Sequence, residues 1–154
     1  LHIFEGGFRV PFVARWPGVI PPGTSTPAPA MNFDLFPTCL QLAGVPLPQD
    51  RIVDGQDILP LLTGASTSPH DTLLFYDIRN LVGLRRQVWK YYRRYTTENA
   101  ANWPLRQGPF LFNLHTDPTE SYSMIESEPA LAAELAALLE AADAAMAANL
   151  RGWL

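Results

Sequence analysis

The sequence has one cysteine, Cys39, among 154 residues. An internal disulfide and a multi-thiolate metal site are therefore excluded, and Cys39 is expected to be a buried small hydrophobe. No run is long and apolar enough to span a bilayer. Charge is sparse and slightly acidic, with 17% charged residues and a net charge of -4. That balance gives no general attraction to nucleic acid or to an anionic membrane. The three histidines, His2, His70 and His115, are too scattered to form a metal cluster. The first residues, "LHIFEGGFRVPFVARWPG", lack the basic, apolar and small-residue sections of a signal peptide. They read like the middle of a domain.

What the chain does have is apolar bulk, at 47% hydrophobic residues, and 15 prolines, most of them before residue 70. The bulk suits a packed domain, and the Pro-Gly clusters imply frequent turns. "FRVPFVARWPG" predicts a short buried strand, with Pro11 placing it at an edge or strand start. "MNFDLFPTCLQLAG" predicts a helix whose apolar face is Leu35, Phe36, Cys39, Leu40, Leu42 and Ala43, capped by Asp34 and stopped by Gly44. A shorter helix is expected around Ile58 to Leu62. "TLLFYDI", "LVGLRRQ", "VWKYYRRY" and "FLFNLHTD" predict an antiparallel sheet. In the tail, Leu131, Leu135, Leu138, Ala142 and Met146 form a helical stripe, with Pro129 in the first turn after a Ser127 or Glu128 cap. Sheet and helix make a small α+β unit over residues 70–154. Residues 1–69 carry too little to close a core alone.

Individual residues admit two readings. Glu5 and Arg9 flank Gly6 and Gly7; they either support an active site, with Glu5 orienting a neighbouring basic group, or make a structural ion pair or amide contact that fixes the turn. His70 and His115 read as turn residues. Asp54 and Asp57 lack the further oxygen ligands of a calcium loop. The basic aromatic run "LRRQVWKYYRRY" could bind a polyanion, or could be an amphipathic strand with solvent-facing Arg and Lys.

Five blocks, in order, carry a resemblance: "EGGFRVPFVARWPGVIPPG", "DLFPTCLQLAGVPLP", "DGQDILPLLTG", "VGLRRQVWKYY" and "LFNLHTDPTE". Together they resemble the C-terminal part of the arylsulfatase-type sulfatases, over roughly residues 4–124. The resemblance implies an α/β fragment, the edge of an alkaline-phosphatase-like domain, over residues 1–69. A small antiparallel-sheet domain with a C-terminal helix follows over residues 70–154. It further implies a parent enzyme that hydrolyses sulfate esters with a calcium ion and a formylglycine made in a C/S-x-P-x-R motif. Cys39 is followed by "LQLA", so this chain is expected to bind neither group and to be inactive alone. The family's sulfate-contacting lysine stands five positions before the Glu of E-G-G, one position before Leu1. Glu5, Gly6, Gly7 and Arg9 would then support the active site. His2, and Trp103 with Arg106 in a long loop, are candidate substrate contacts. The implied partners are a sulfated small molecule or glycan and an upstream large-domain segment. Exported, periplasmic or lysosomal placement of the parent follows by the same resemblance. A related phosphodiesterase or phosphonate hydrolase and a non-catalytic binding module are the alternatives.

Overall fold

A computed structural model describes residues 3–94 and 107–148. The chain forms two compact units. One is Pro11–Asp71; the other joins the described residues up to Val10 with those from Thr72 onward. Residues 3–10 thus group with the C-terminal part of the chain.

The C-terminal unit is built on a four-stranded antiparallel meander in the order β1-β2-β3-β4. Its strands are β1 (Thr72–Asp77), β2 (Asn80–Arg86), β3 (Trp89–Tyr92) and β4 (Phe110–Asn113), each overlapping one of the four runs read as strands, with β2 starting one residue before its run. Period-two alternation sends neighbouring residues to opposite faces. Leu84, Tyr91 and Leu111 pack with Ala132, Leu135 and Leu139 of the long helix Pro129–Ala147. Val82, Tyr92 and Phe112 pack on the other face with Ile3. A bulge opposite Phe75/Tyr76 shifts the phase of β2, so Leu81 and Leu84, three apart, share one face. Residue 83 must be glycine. It pairs with Tyr92, and a Cβ there would lie 2.6 Å from the Tyr92 ring and 2.7 Å from the Tyr91 carbonyl.

The C-terminal helix begins as its sequence requires, with Pro129 in the first turn, although Glu128 caps it with backbone only. Its buried face differs from the expected stripe. Ala132, Leu135 and Leu139 are inside, while Leu138 and Met146 are each more than a third exposed. An Ala-Leu-rich helix offers an apolar stripe at several phases. The charged margin selects among them: Arg86 pairs with Glu134 at 2.8 Å, and Arg93 with Asp143 at 2.8 Å and Glu140 at 3.5 Å.

The unit Pro11–Asp71 has a 3-10 turn Asn32–Asp34, a helix Leu35–Leu42 and a short helix Leu59–Leu62. Gly44 and Gly64 end the helices at positive φ, +67° and +77°. Three expectations fail in this part of the chain. Residues 8–16 form no strand; Val10, Phe12 and Val13 lie exposed, since no neighbouring strand pairs their backbone. The helix Leu35–Leu42 turns Pro37 and Thr38 inward and leaves Leu35, Phe36 and Leu42 exposed. Cys39 is exposed as well.

The reason is that a polar knot organises this unit. Asp34 is fully buried, and its side chain does not cap the helix. One carboxylate oxygen accepts the Met31 N–H at 2.7 Å and the other the Gln56 N–H at 2.9 Å. His70 Nε2 stands 2.8 and 2.9 Å from the two oxygens, so His70 is a fastener rather than only a turn residue. The Thr38 hydroxyl donates to the Asp34 carbonyl at 2.7 Å and accepts the Ile58 N–H at 3.0 Å. Gly55 lies against the Phe33 carbonyl, where a Cβ would approach to 2.3 Å. Asp57 caps Leu59 N–H at 2.9 Å, a turn role.

Three stability outcomes follow. Leu139→Ala empties a fully buried site and is expected to lower unfolding free energy by about 3 kcal/mol in urea titration. Asp34→Ala strands two N–H donors and His70; about 3 kcal/mol is expected, with amide exchange rising at Met31 and Gln56. Ile78, 83% exposed at the β1–β2 turn, has φ +58°. Ile78→Asn should raise stability by about 1 kcal/mol, because a β-branched residue is strained there and buries nothing.

Candidate functional site

On the sheet face opposite the C-terminal helix, the first described residues meet a closed cluster of charges. Lys90 and Tyr92 are two apart on β3, so they share that face. Lys90 is fully buried. Its ammonium lies 2.7 Å from Glu5 Oε1, 3.3 Å from Glu120 Oε1 and 3.4 Å from the Ile3 carbonyl. The Phe75 and Tyr92 rings flank it at 4.2 and 5.2 Å from their centroids, adding cation–π attraction. Arg85 Nη1 stands 3.9 Å from Glu5 Oε2. Burial lowers the proton affinity of Arg85, and the Glu5 charge partly restores it. Two carboxylates thus face two cations.

The same groups grip the backbone. Glu5 donates its N–H to Glu120 Oε2. The Tyr92 hydroxyl lies 2.9 Å from the Ile3 carbonyl and 2.8 Å from Glu120 Oε1, sharing its proton between them. Burial, then the Glu120 charge and hydrogen bond, then the Glu5 charge push the Tyr92 phenol far above its ordinary value. It therefore remains a donor at any physiological pH. Glu120 reaches inward from a turn at φ +54°. Asp117 shapes that turn by accepting the Ser121 and Tyr122 N–H groups, each at 2.8 Å, and the Thr119 hydroxyl at 3.0 Å. Slight burial works against the Asp117 charge, but these donors outweigh it and hold its carboxyl below the usual range.

Glu5 and the glycines form one helical turn, Glu5–Phe8, in which Gly6 and Gly7 are exposed. Nothing lies within 4 Å of where a Gly6 Cβ would stand. Glu5 pairs with Lys90 rather than with Arg9, and Arg9 is exposed. His2, Trp103 and Arg106 lie outside the described residues. Lys90 was expected to face solvent within a basic run. A buried carboxylate pair and two aromatic rings hold it inside instead, while Arg86 and Arg93 pair with the C-terminal helix. The available signal was the Lys90/Tyr92 spacing on a strand whose other residues are aromatic.

The cluster holds no exposed nucleophile; it is an anchor. Its residues come from three of the sequence blocks: Glu5 from "EGG", Lys90 from "WK" and Glu120 from "DPTE".

Comparison with known proteins agrees with this convergence. Residues 2–145 match the family model described as N-sulphoglucosamine sulphohydrolase, C-terminal. The chain is 36% identical to steryl-sulfatase of Homo sapiens, over 91% of this chain and 28% of that protein. It is 37% identical to arylsulfatase A of Bos taurus, over 85% of this chain and 29% of the relative. It thus spans little more than a quarter of the length of these relatives. Among solved structures, one in complex with its substrate D-glucosamine-2-N,6-O-disulfate superposes with a TM-score of 0.61 at 25% identity, covering 89% of this chain and 28% of that one. The crystal structure of Ps i-CgsB superposes with a TM-score of 0.63 at 25% identity, covering 81% and 26%. The ordered motifs, their meeting in one buried cluster and a family match over nearly all of the sequence lead to one conclusion: the chain belongs to the sulfatases, in the family of their C-terminal region.

Proposed function

We propose that this chain is the C-terminal part of a sulfuric ester hydrolase and that its role there is to anchor and close, not to perform the chemistry. One observation carries this reading: the residues that match sulfatase motifs are spent on fastening. Glu5, Lys90 and Glu120 fasten one unit, and Asp34 and Gly55 the other. The exposed apolar residues of Pro11–Asp71, among them Phe12, Trp16, Leu35 and Phe36, support a covering surface supplied by an upstream large α/β domain.

In such an enzyme calcium would stabilise charge on the sulfuryl oxygens, and formylglycine would supply the nucleophilic oxygen. The described residues do not fit either group. Cys39 sits in a helix followed by "LQLA", and no group of three or more His, Cys, Asp or Glu among the described residues could hold a metal. No catalytic step is therefore assigned to them. The substrate class is a sulfated glycan or a small sulfate ester, as the steryl-sulfatase, arylsulfatase and disulfated-glucosamine likenesses suggest.

The test is to express the longer reading frame that contains this chain and assay it beside the 154-residue chain. Turnover of 4-nitrophenyl sulfate by the longer protein, lost on chelation of calcium and absent from the chain alone, is the expected result. Turnover of a phosphodiester or phosphonate in place of the sulfate would move the assignment to that chemistry. Turnover of neither by the longer protein would leave a non-catalytic module.

A further inference from the structure

Residues 10–15 have strand composition and, among the described residues, no backbone hydrogen bond to any partner. Arg9 leaves the first helical turn with extended φ and ψ of -81° and 110°, and Pro11 restricts Val10 to extended backbone as well. At period two, Val10 and Phe12 fall on one face and Pro11 and Val13 on the other. Val10 is 74% exposed, Phe12 54% and Val13 89%. Apolar residues on both faces are the pattern of a strand covered from both sides. What this segment lacks is a neighbour.

Its two edges are not equivalent. Alternate residues of an extended chain direct their N–H and C=O groups to opposite edges. One edge carries Arg9, Pro11, Val13 and Arg15. Arg9 already donates to the Glu5 carbonyl at 2.7 Å, and Pro11 has no N–H. The other edge carries Val10, Phe12 and Ala14, whose donors and acceptors form an unbroken row. That row ends at Trp16, whose carbonyl accepts the Val19 and Ile20 N–H groups at 3.1 and 2.9 Å.

We propose that Val10, Phe12 and Ala14 are a docking edge, to which a β-strand from the upstream part of the same protein adds by backbone pairing. This rests on the sulfatase reading above. The chain covers 28% and 29% of two curated relatives, which leaves most of a relative's length to supply the strand. Charge narrows the partner's chemistry. From residue 10 to residue 49 the charged residues are Arg15 and Asp34, and Asp34 is fully buried. Arg15 is exposed, so this stretch presents positive charge in a chain of net charge -4. The fitting strand is apolar with a carboxylate near Arg15. A second copy fits poorly. Antiparallel self-pairing through all three residues sets Arg15 of one copy opposite Arg9 of the other, a destabilising like-charge pair.

The experiment measures amide exchange over residues 9–16 in the longer protein and in the 154-residue chain. Val10, Phe12 and Ala14 are expected to exchange at least about a hundredfold more slowly in the longer protein, with Val13 and Arg15 slowed far less. Ala14→Pro removes one donor from the pairing edge. It should speed exchange at Val10 and Phe12 about tenfold in the longer protein and lower its melting temperature. The melting temperature of the 154-residue chain should not change, because nothing there pairs with Ala14. An equal loss in both chains would overturn the proposal. So would fast exchange at the three amides in the longer protein, or equal protection at Val13 and Arg15. Concentration-dependent protection in the 154-residue chain alone would make a second copy the occupant and sink the proposal too.

The readout does not depend on catalysis. A longer protein that protects this edge but turns over no sulfate ester keeps the docking edge and loses the sulfatase reading. One that hydrolyses 4-nitrophenyl sulfate with these amides unprotected keeps that reading and loses the docking edge.

Discussion

A lysine with no exposed surface governs the C-terminal unit. An unpaired ammonium in that environment would cost several kcal/mol. Lys90 therefore obliges the structure to bring it carboxylates, and both come from far away in sequence. Glu5 arrives on the first helical turn and Glu120 on the turn after β4. The rest of the unit is arranged so that they can. The meander places β3 between β2 and β4, and the missing side chain at Gly83 admits the Tyr92 ring beside the lysine. Asp117 bends the chain so that Glu120 points inward. Remove Lys90 and two buried carboxylates lose the cation they share, so the lysine is the member the cluster cannot lose.

The unit Pro11–Asp71 solves a similar problem with fewer charges. Its buried set is short on hydrocarbon and centred on Asp34, whose two oxygens serve Met31, Gln56 and His70. Those three groups lie on separate segments of a Pro-rich chain that has little regular structure to organise it. A buried carboxylate substitutes for the missing ladder of backbone hydrogen bonds by accepting from the segments directly. The cost is that the helix Leu35–Leu42 must turn Thr38 inward to support Asp34 and Ile58, which leaves its apolar side outward.

That inversion explains where sequence reading succeeded and where it failed. The four strands and the C-terminal helix were legible because their periodicity answers to a core inside the same unit. The helix Leu35–Leu42 was legible as a helix, with its stop at Gly44, but not in orientation. Its apolar stripe is genuine, yet Cys39, Leu35 and Phe36 face away from the packing this chain supplies. Residues 8–16 have strand composition and no strand for the same reason: a β-strand exists only with a neighbour to pair its backbone. The stripe of the C-terminal helix was misread for a different cause, since an Ala-rich face leaves the phase to ion pairs with Arg86 and Arg93. Lys90 was misassigned to solvent because composition around a lysine does not reveal two carboxylates that are 30 and 85 residues distant.

The residues that made the family recognisable are therefore not those that would distinguish one reaction from another. Glu5, Asp34, Gly55, Lys90, Asp117 and Glu120 each have a mechanical task visible in this structure: pairing, backbone acceptance, or close approach. None of these tasks depends on whether sulfur or phosphorus is attacked elsewhere. A hydrolase for either ester could keep the same fasteners, because fastening answers to the geometry of the chain and chemistry answers to the charge and coordination of the sulfuryl or phosphoryl group that is attacked. The geometry of this region thus constrains how residues 3–5 are held far more tightly than it constrains the reaction of the whole protein.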